Sequence, residues 1–200
     1  MKLGCLALLF ALLIGHVTSV QAQVERITLE HPLVLADADG RVVTSDGFPG
    51  KWLLVYFGYT HCADQCPTAL SAMIEALGEI GPAADHIQPL FVTVDPERDR
   101  GAALKDFTAA FDKRLIGLTG TEEQIAAAAE PLGIEYRKVL TASNDYVIDH
   151  SSVLSLIGAD RHQAVTFAFA EPYMLAAMLV AELDRGGVAL GDVNNLRAYH

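Results

Sequence analysis

Ten residues constrain this chain more than any others: Gly58-Tyr59-Thr60-His61-Cys62-Ala63-Asp64-Gln65-Cys66-Pro67 stand where an apolar run gives way to helical spacing. Before them, Lys51-Trp52-Leu53-Leu54-Val55-Tyr56-Phe57 is apolar beyond its lysine, the pattern of a strand buried on both faces. After them, Leu70, Met73, Ile74, Leu77 and Ile80 recur as on one face of a helix, which Gly81-Pro82 ends. The cysteines therefore sit at a strand-to-helix turn, Cys62 in the loop and Cys66 in the first helical turn. Residues four apart at a helix start face one side, so both sulfurs can approach one point. Free N–H groups and the helix dipole there favour a thiolate over a thiol. Pro67 fits such a turn because it lacks the N–H that would go unpaired.

The third cysteine, Cys5, belongs to the apolar run that follows Met1-Lys2. Residues 1–22 read as a signal peptide, with Val20-Gln21-Ala22 as the cleavage site and Gln23 as the mature start. An uncleaved membrane anchor is the alternative, although the run is short for a span of roughly 20 apolar residues. Export lets a close cysteine pair oxidise, and keeping it reduced then needs a dedicated partner. Losing Lys2 and no acid leaves 13 basic against 25 acidic residues, a net charge of −12. That surface repels nucleic acid and anionic lipid, and it suits solubility, basic partners or cations.

Hydrophobic residues make up 52% of the 200, enough for one substantial core. Residues 23–31 read as a short leader. Leu33-Val34-Leu35 and Arg41-Val42-Val43-Thr44 flank an Asp/Gly turn and read as a hairpin. Strands are expected at Leu90–Val94, Leu115–Leu118, Ile134–Val139, Ser152–Ile157 and Val165–Phe169. Asp99 is a candidate cap for a helix carrying Leu104, Phe107 and Phe111. Thr121-Glu122-Glu123-Gln124 matches a capping box, opening a helix through Ala129. Pro172 suits the first turn of a last helix with Leu175, Met178, Leu179 and Leu183. A loose, glycine-rich tail, 186–200, is expected after the body, 23–185. Strand and helix alternate first and strands then follow one another, which implies parallel crossovers with an antiparallel edge. The expected class is α/β: a thioredoxin-like sheet enlarged by an N-terminal hairpin and peroxiredoxin-like insertions.

Spacing sorts the chemistry. Thioredoxin-type oxidoreductases carry two residues between their cysteines, whereas here there are three, which permits a disulfide but also opens the pair around an ion. Two sulfurs suit Cu(I), and an added imidazole makes a three-coordinate site that also holds Cu(II). Zinc would want a fourth ligand. The bland alternative is two cysteines packed as small apolar residues. His150, in Asp149-His150-Ser151, directly precedes an expected strand and should emerge facing the cysteine loop. No proline lies between Pro131 and Pro172, so His-Ser-Ser stands where a general disulfide exchanger carries its substrate-binding proline.

Together Tyr56-Phe57-Gly58-Tyr59-Thr60-His61-Cys62, Cys66-Pro67, Val94-Asp95-Pro96-Glu97-Arg98-Asp99, Leu118-Thr119-Gly120-Thr121 and Tyr146-Val147-Ile148-Asp149-His150-Ser151 resemble the SCO/SenC family of copper-binding assembly proteins for cytochrome c oxidase. They occur in family order from about residue 30 to 185. The resemblance implies copper bound by Cys62, Cys66 and His150, and delivery of copper to the dinuclear centre of the oxidase's copper-site subunit. It equally allows reduction of that centre's cysteines, with Cys62 attacking and Cys66 resolving. Other periplasmic copper chaperones or thiol reductants are the further partners it implies, in a periplasmic location, soluble or anchored to the inner membrane. Asp95, Arg98, Asp149 and His61 are neighbours whose roles stay open. Ala63 departs from the family, where proline commonly follows the first cysteine. A peroxidase, which also carries threonine and cysteine after this strand, ranks last.

Overall fold

The computed structural model describes residues 25–62, 65–143, 145–168 and 171–190. Along them run β1 (Glu25–Thr28), β2 (Val34–Asp37), β3 (Val42–Thr44), β4 (Trp52–Gly58), α1 (Gln65–Glu79), β5 (Ile87–Thr93), α2 (Gly101–Ala109) and β6 (Ile116–Thr119). Then come α3 (Glu122–Ala129), β7 (Tyr136–Leu140), β8 (Tyr146–His150), β9 (Val153–Ile157), β10 (Gln163–Ala168) and α4 (Pro172–Arg185). The signal-peptide residues, Cys5 among them, and the tail from 191 lie outside the described residues.

The continuous apolar run becomes the middle of the main sheet, whose order is β1-β10-β9-β4-β5-β6-β2-β3. β4 pairs parallel with β5 through the α1 crossover and antiparallel with β9, and β5 pairs parallel with β6. With neighbours on both edges and layers on both faces, Leu53, Leu54, Val55, Tyr56 and Phe57 are all buried. Each such side chain contributes roughly 1.5–3 kcal/mol on leaving water. α1 and α4 pack together, and Leu70, Met73 and Leu77 of the first and Leu175, Leu179 and Leu183 of the second are in the core. The β2–β3 hairpin closes the far edge antiparallel to β6. This is the thioredoxin-like α/β sheet expected, with parallel strands in the middle and antiparallel strands at the edges.

Three local expectations are revised. The supposed leader forms β1, an edge strand antiparallel to β10. Asp99 caps nothing: Arg100 precedes α2, and the Asp99 carboxylate is buried inside the molecule. His150 does not merely precede a strand; it ends one, β8, which pairs with β7 in a separate two-stranded hairpin. At the other end, Val188 N–H donates to the Leu183 carbonyl at 3.0 Å, and Val188 and Leu190 rest on the core.

Candidate metal centre

The parallel strands aim their carboxyl ends at one edge of the molecule, where a doubly wound sheet offers its crevice. β4 ends there at Gly58, and the chain turns at once, the Cys62 N–H donating to the Tyr59 carbonyl at 3.2 Å. A buried carboxylate fixes this turn. Asp99, arriving on the loop after β5, accepts from the Thr60 N–H at 2.7 Å, the Thr60 hydroxyl at 2.6 Å and the Thr93 hydroxyl at 2.7 Å. Because the Thr60 hydroxyl proton goes to Asp99, Thr60 Oγ1 accepts from His61 Nδ1 at 3.0 Å. His61 thus turns to this network rather than to the sulfurs.

Cys66 enters in the first turn of α1 and is fully buried, while Cys62 is half-buried; both are free thiols. The Cys66 N–H, one of the unpaired donors of the helix start, points at Cys62 Sγ at 3.4 Å. The expected thiolate at the helix start does not hold for Cys66. Burial pushes its thiol up to about 12, against the opposing help of a backbone hydrogen bond. Burial likewise raises the neighbouring Tyr56 phenol, with Cys66 next in effect.

From the opposite side β8 delivers His150. Its Nδ1–H donates to the Ser151 carbonyl at 3.0 Å, which leaves the Nε2 lone pair facing Cys66 Sγ at 3.3 Å. A thiol S–H donating to this lone pair satisfies both groups. The ring is held edge-on by Tyr56 and Tyr59, at centroid separations of 6.2 and 6.0 Å. Among the described residues, the donor atoms of Cys62, Cys66 and His150 form a group within 4.8 Å of one another. Such a set of two soft sulfurs and one imidazole fits a thiophilic ion. A cleft of about 510 Å³, lined by Glu135, Tyr136, Arg137, Asp149, His150 and Ser151, opens beside the imidazole.

The other candidates fall outside this group. Asp149 turns to the hairpin's outer face and pairs with Arg137 at 2.7 Å, so the Ser151 carbonyl, not Asp149, orients the imidazole. Asp95 is buried, bound by Arg98 and by the Tyr146 hydroxyl at 2.8 Å. Sequence reasoning quoted Gly58, Tyr146 and Ser151 within its motifs but gave none of them a role of its own. Tyr146 had a readable signal, since it stands four residues before His150 and strand alternation puts both on one face.

A model of the SCO1/SenC family matches residues 21–183. The Bos taurus "Protein SCO2 homolog, mitochondrial" is 40% identical over 129 residues, covering 63% of this chain and 48% of the relative. The chain thus spans about half the length of that relative, as it does of the Homo sapiens "Protein SCO1 homolog, mitochondrial". Among solved structures, Arabidopsis thaliana ScoI with copper bound superposes with a TM-score of 0.72 at 32% identity, over 78% of this chain and 98% of the other. Bradyrhizobium japonicum ScoI with copper bound gives 0.68 at 36% identity, over the same shares.

Proposed function

This chain belongs to the SCO1/SenC family, and on that footing we propose that it is a copper-binding assembly factor for the dinuclear copper centre of cytochrome c oxidase. The ion rests on Cys62 Sγ, Cys66 Sγ and His150 Nε2. The observation that carries this reading is the meeting of those three atoms from two separate segments, within 4.8 Å. Copper-bound structures of similar proteins support the choice of ion. Loading displaces the protons of the two thiols, because the thiolate is the ligand. The half-exposed Cys62 is where an incoming donor or acceptor sulfur would engage the ion, with Cys66 held beneath it. The oxidase's copper-site subunit is the proposed recipient.

The functional unit is residues 23–185, exported by 1–22 and working in the periplasm, free or anchored through that segment. No helix among the described residues is long and apolar enough to cross a membrane.

A second reading, reduction of the oxidase's cysteines, is favoured by one feature. Cys62 Sγ, half-exposed and facing the Cys66 N–H, is placed as the attacking sulfur, with Cys66 behind it to resolve the mixed disulfide.

Anaerobic titration of the reduced protein with Cu(I) and Cu(II) tests the first reading. Cys62→Ala and Cys66→Ala should each abolish tight Cu(I) binding, while His150→Ala should weaken Cu(II) by on the order of tenfold or more and spare Cu(I). Wild-type affinity of the His150 variant for both ions would remove the imidazole from the site. Metal-free protein that turns over disulfide substrates faster than a simple dithiol would favour the second reading.

A further inference from the structure

The hairpin that delivers His150 stands apart from the main sheet, β7 and β8 pairing only with each other among the described residues. Within these two strands Ile148 alone is buried. Two strands by themselves are marginally stable in water, so the placement of the imidazole depends on what docks them. Side chains alternate along β8: Tyr146, Ile148 and His150 share the inward face, and Val147 and Asp149 face solvent. Ile148 inserts into the core, and Tyr146 lies about 13 Å from His150 along the strand.

Tyr146 is held on every side. Its hydroxyl donates to Asp95 Oδ1 at 2.8 Å, with Glu97 Oε2 at 3.3 Å, and Asp95 is fully buried. The Arg98 guanidinium lies 3.8 Å over its ring, donates to its carbonyl at 3.2 Å and binds Asp95 through Nε. Lys138, opposite Ile148 on β7, pairs with Glu97 at 3.0 Å. Arg98 also reaches 5.9 Å from the Tyr59 ring, which in turn meets His150 edge-on.

We propose that Tyr146 is a positioning residue for His150. Its hydrogen bond to the buried Asp95 carboxylate locks the hairpin in the pose that lays the imidazole across Cys66. Breaking that bond lets the hairpin withdraw the imidazole while the two sulfurs keep their ion. Because two sulfurs suffice for Cu(I) and the imidazole serves Cu(II), the latch sets the relative affinity for the two oxidation states. This rests on the copper reading above.

Tyr146→Phe tests it, since the ring and its Arg98 stacking stay and the hydroxyl goes. In the metal-free protein, amide exchange should quicken in β7 and β8 and stay unchanged in β4 and α1. Cu(II) affinity should fall on the order of tenfold with weakened nitrogen hyperfine structure, and Cu(I) affinity should hold. Val147→Thr, on the outer face, should move none of these. Wild-type exchange, or faster exchange with an unchanged ratio of Cu(II) to Cu(I) affinity, would overturn the proposal. A wild-type protein that takes up no copper would instead sink the reading beneath it, and the metal-free exchange would still decide the latch.

Discussion

At Gly58 the absence of a side chain makes room for the Cys66 sulfur. A Cβ there would stand 2.9 Å from Cys66 Sγ and 3.1 Å from the rings of Phe91 and Tyr56. All three neighbours are buried, so none can step aside cheaply. Gly58→Ala should destabilise the fold by about 1–3 kcal/mol, as overpacking does, and should weaken copper binding by displacing the sulfur. Denaturant unfolding and copper titration of the variant check both, and wild-type values would show that the sulfur is not confined. The residue scale also shows where sequence reasoning reached its limit. The two cysteines and His150 were legible because few residue types do their chemistry. The state of the Cys66 thiol was not, because its burial beneath Gly58 and Tyr56 is set by the tertiary fold and outweighs the helix start. The role of Asp149 stayed open for a simpler reason: neighbours on a strand face opposite ways, and β8 had not been read as a strand.

Elements with strong local signals came through as expected. The capping box formed in full, Thr121 Oγ1 accepting from the Gln124 N–H and Gln124 Oε1 from the Thr121 N–H. β4, β5 and α1 followed their apolar periodicity. β1 was missed because a distant partner holds it. Glu25-Arg26-Ile27-Thr28 is nearly polar, and its pairing with β10 is reinforced by Arg26, which donates to both Glu182 oxygens of α4 at 3.0 and 2.8 Å. Burial works to raise the Glu182 pKa, but Arg26 and Arg185 more than offset it and hold the carboxyl below its ordinary 4.5. A folded value below the unfolded one stabilises the native state above about pH 4.5, and that stabilisation is lost as pH falls through the folded value. Glu182→Gln should therefore lower stability at neutral pH and flatten this part of the acid limb. Unfolding curves between pH 7 and 3 check it, and an acid slope equal to wild type would contradict the assignment.

For the molecule as a whole, the sheet order does what no single segment could. It gathers the loop after β4, the Asp95–Asp99 loop after β5 and the β7–β8 hairpin at one edge, so that residues 62, 66 and 150 meet. The alternation of strands and helices made the thioredoxin-like sheet legible, and the motifs pointed to the family that the matched residues 21–183 establish. The detached hairpin was not legible, since β7 reads as one more member of the main sheet and its partner β8 was not read as a strand. Under the proposed latch, the polar docking of this hairpin makes His150 the adjustable member of the candidate site. The most direct test is X-ray absorption at the copper edge on the loaded wild-type protein and on His150→Ala. Two sulfur scatterers with one imidazole nitrogen in the Cu(II) form, the nitrogen vanishing in the variant, is the predicted result. An identical shell in both proteins, or a shell without two sulfurs, would contradict the account.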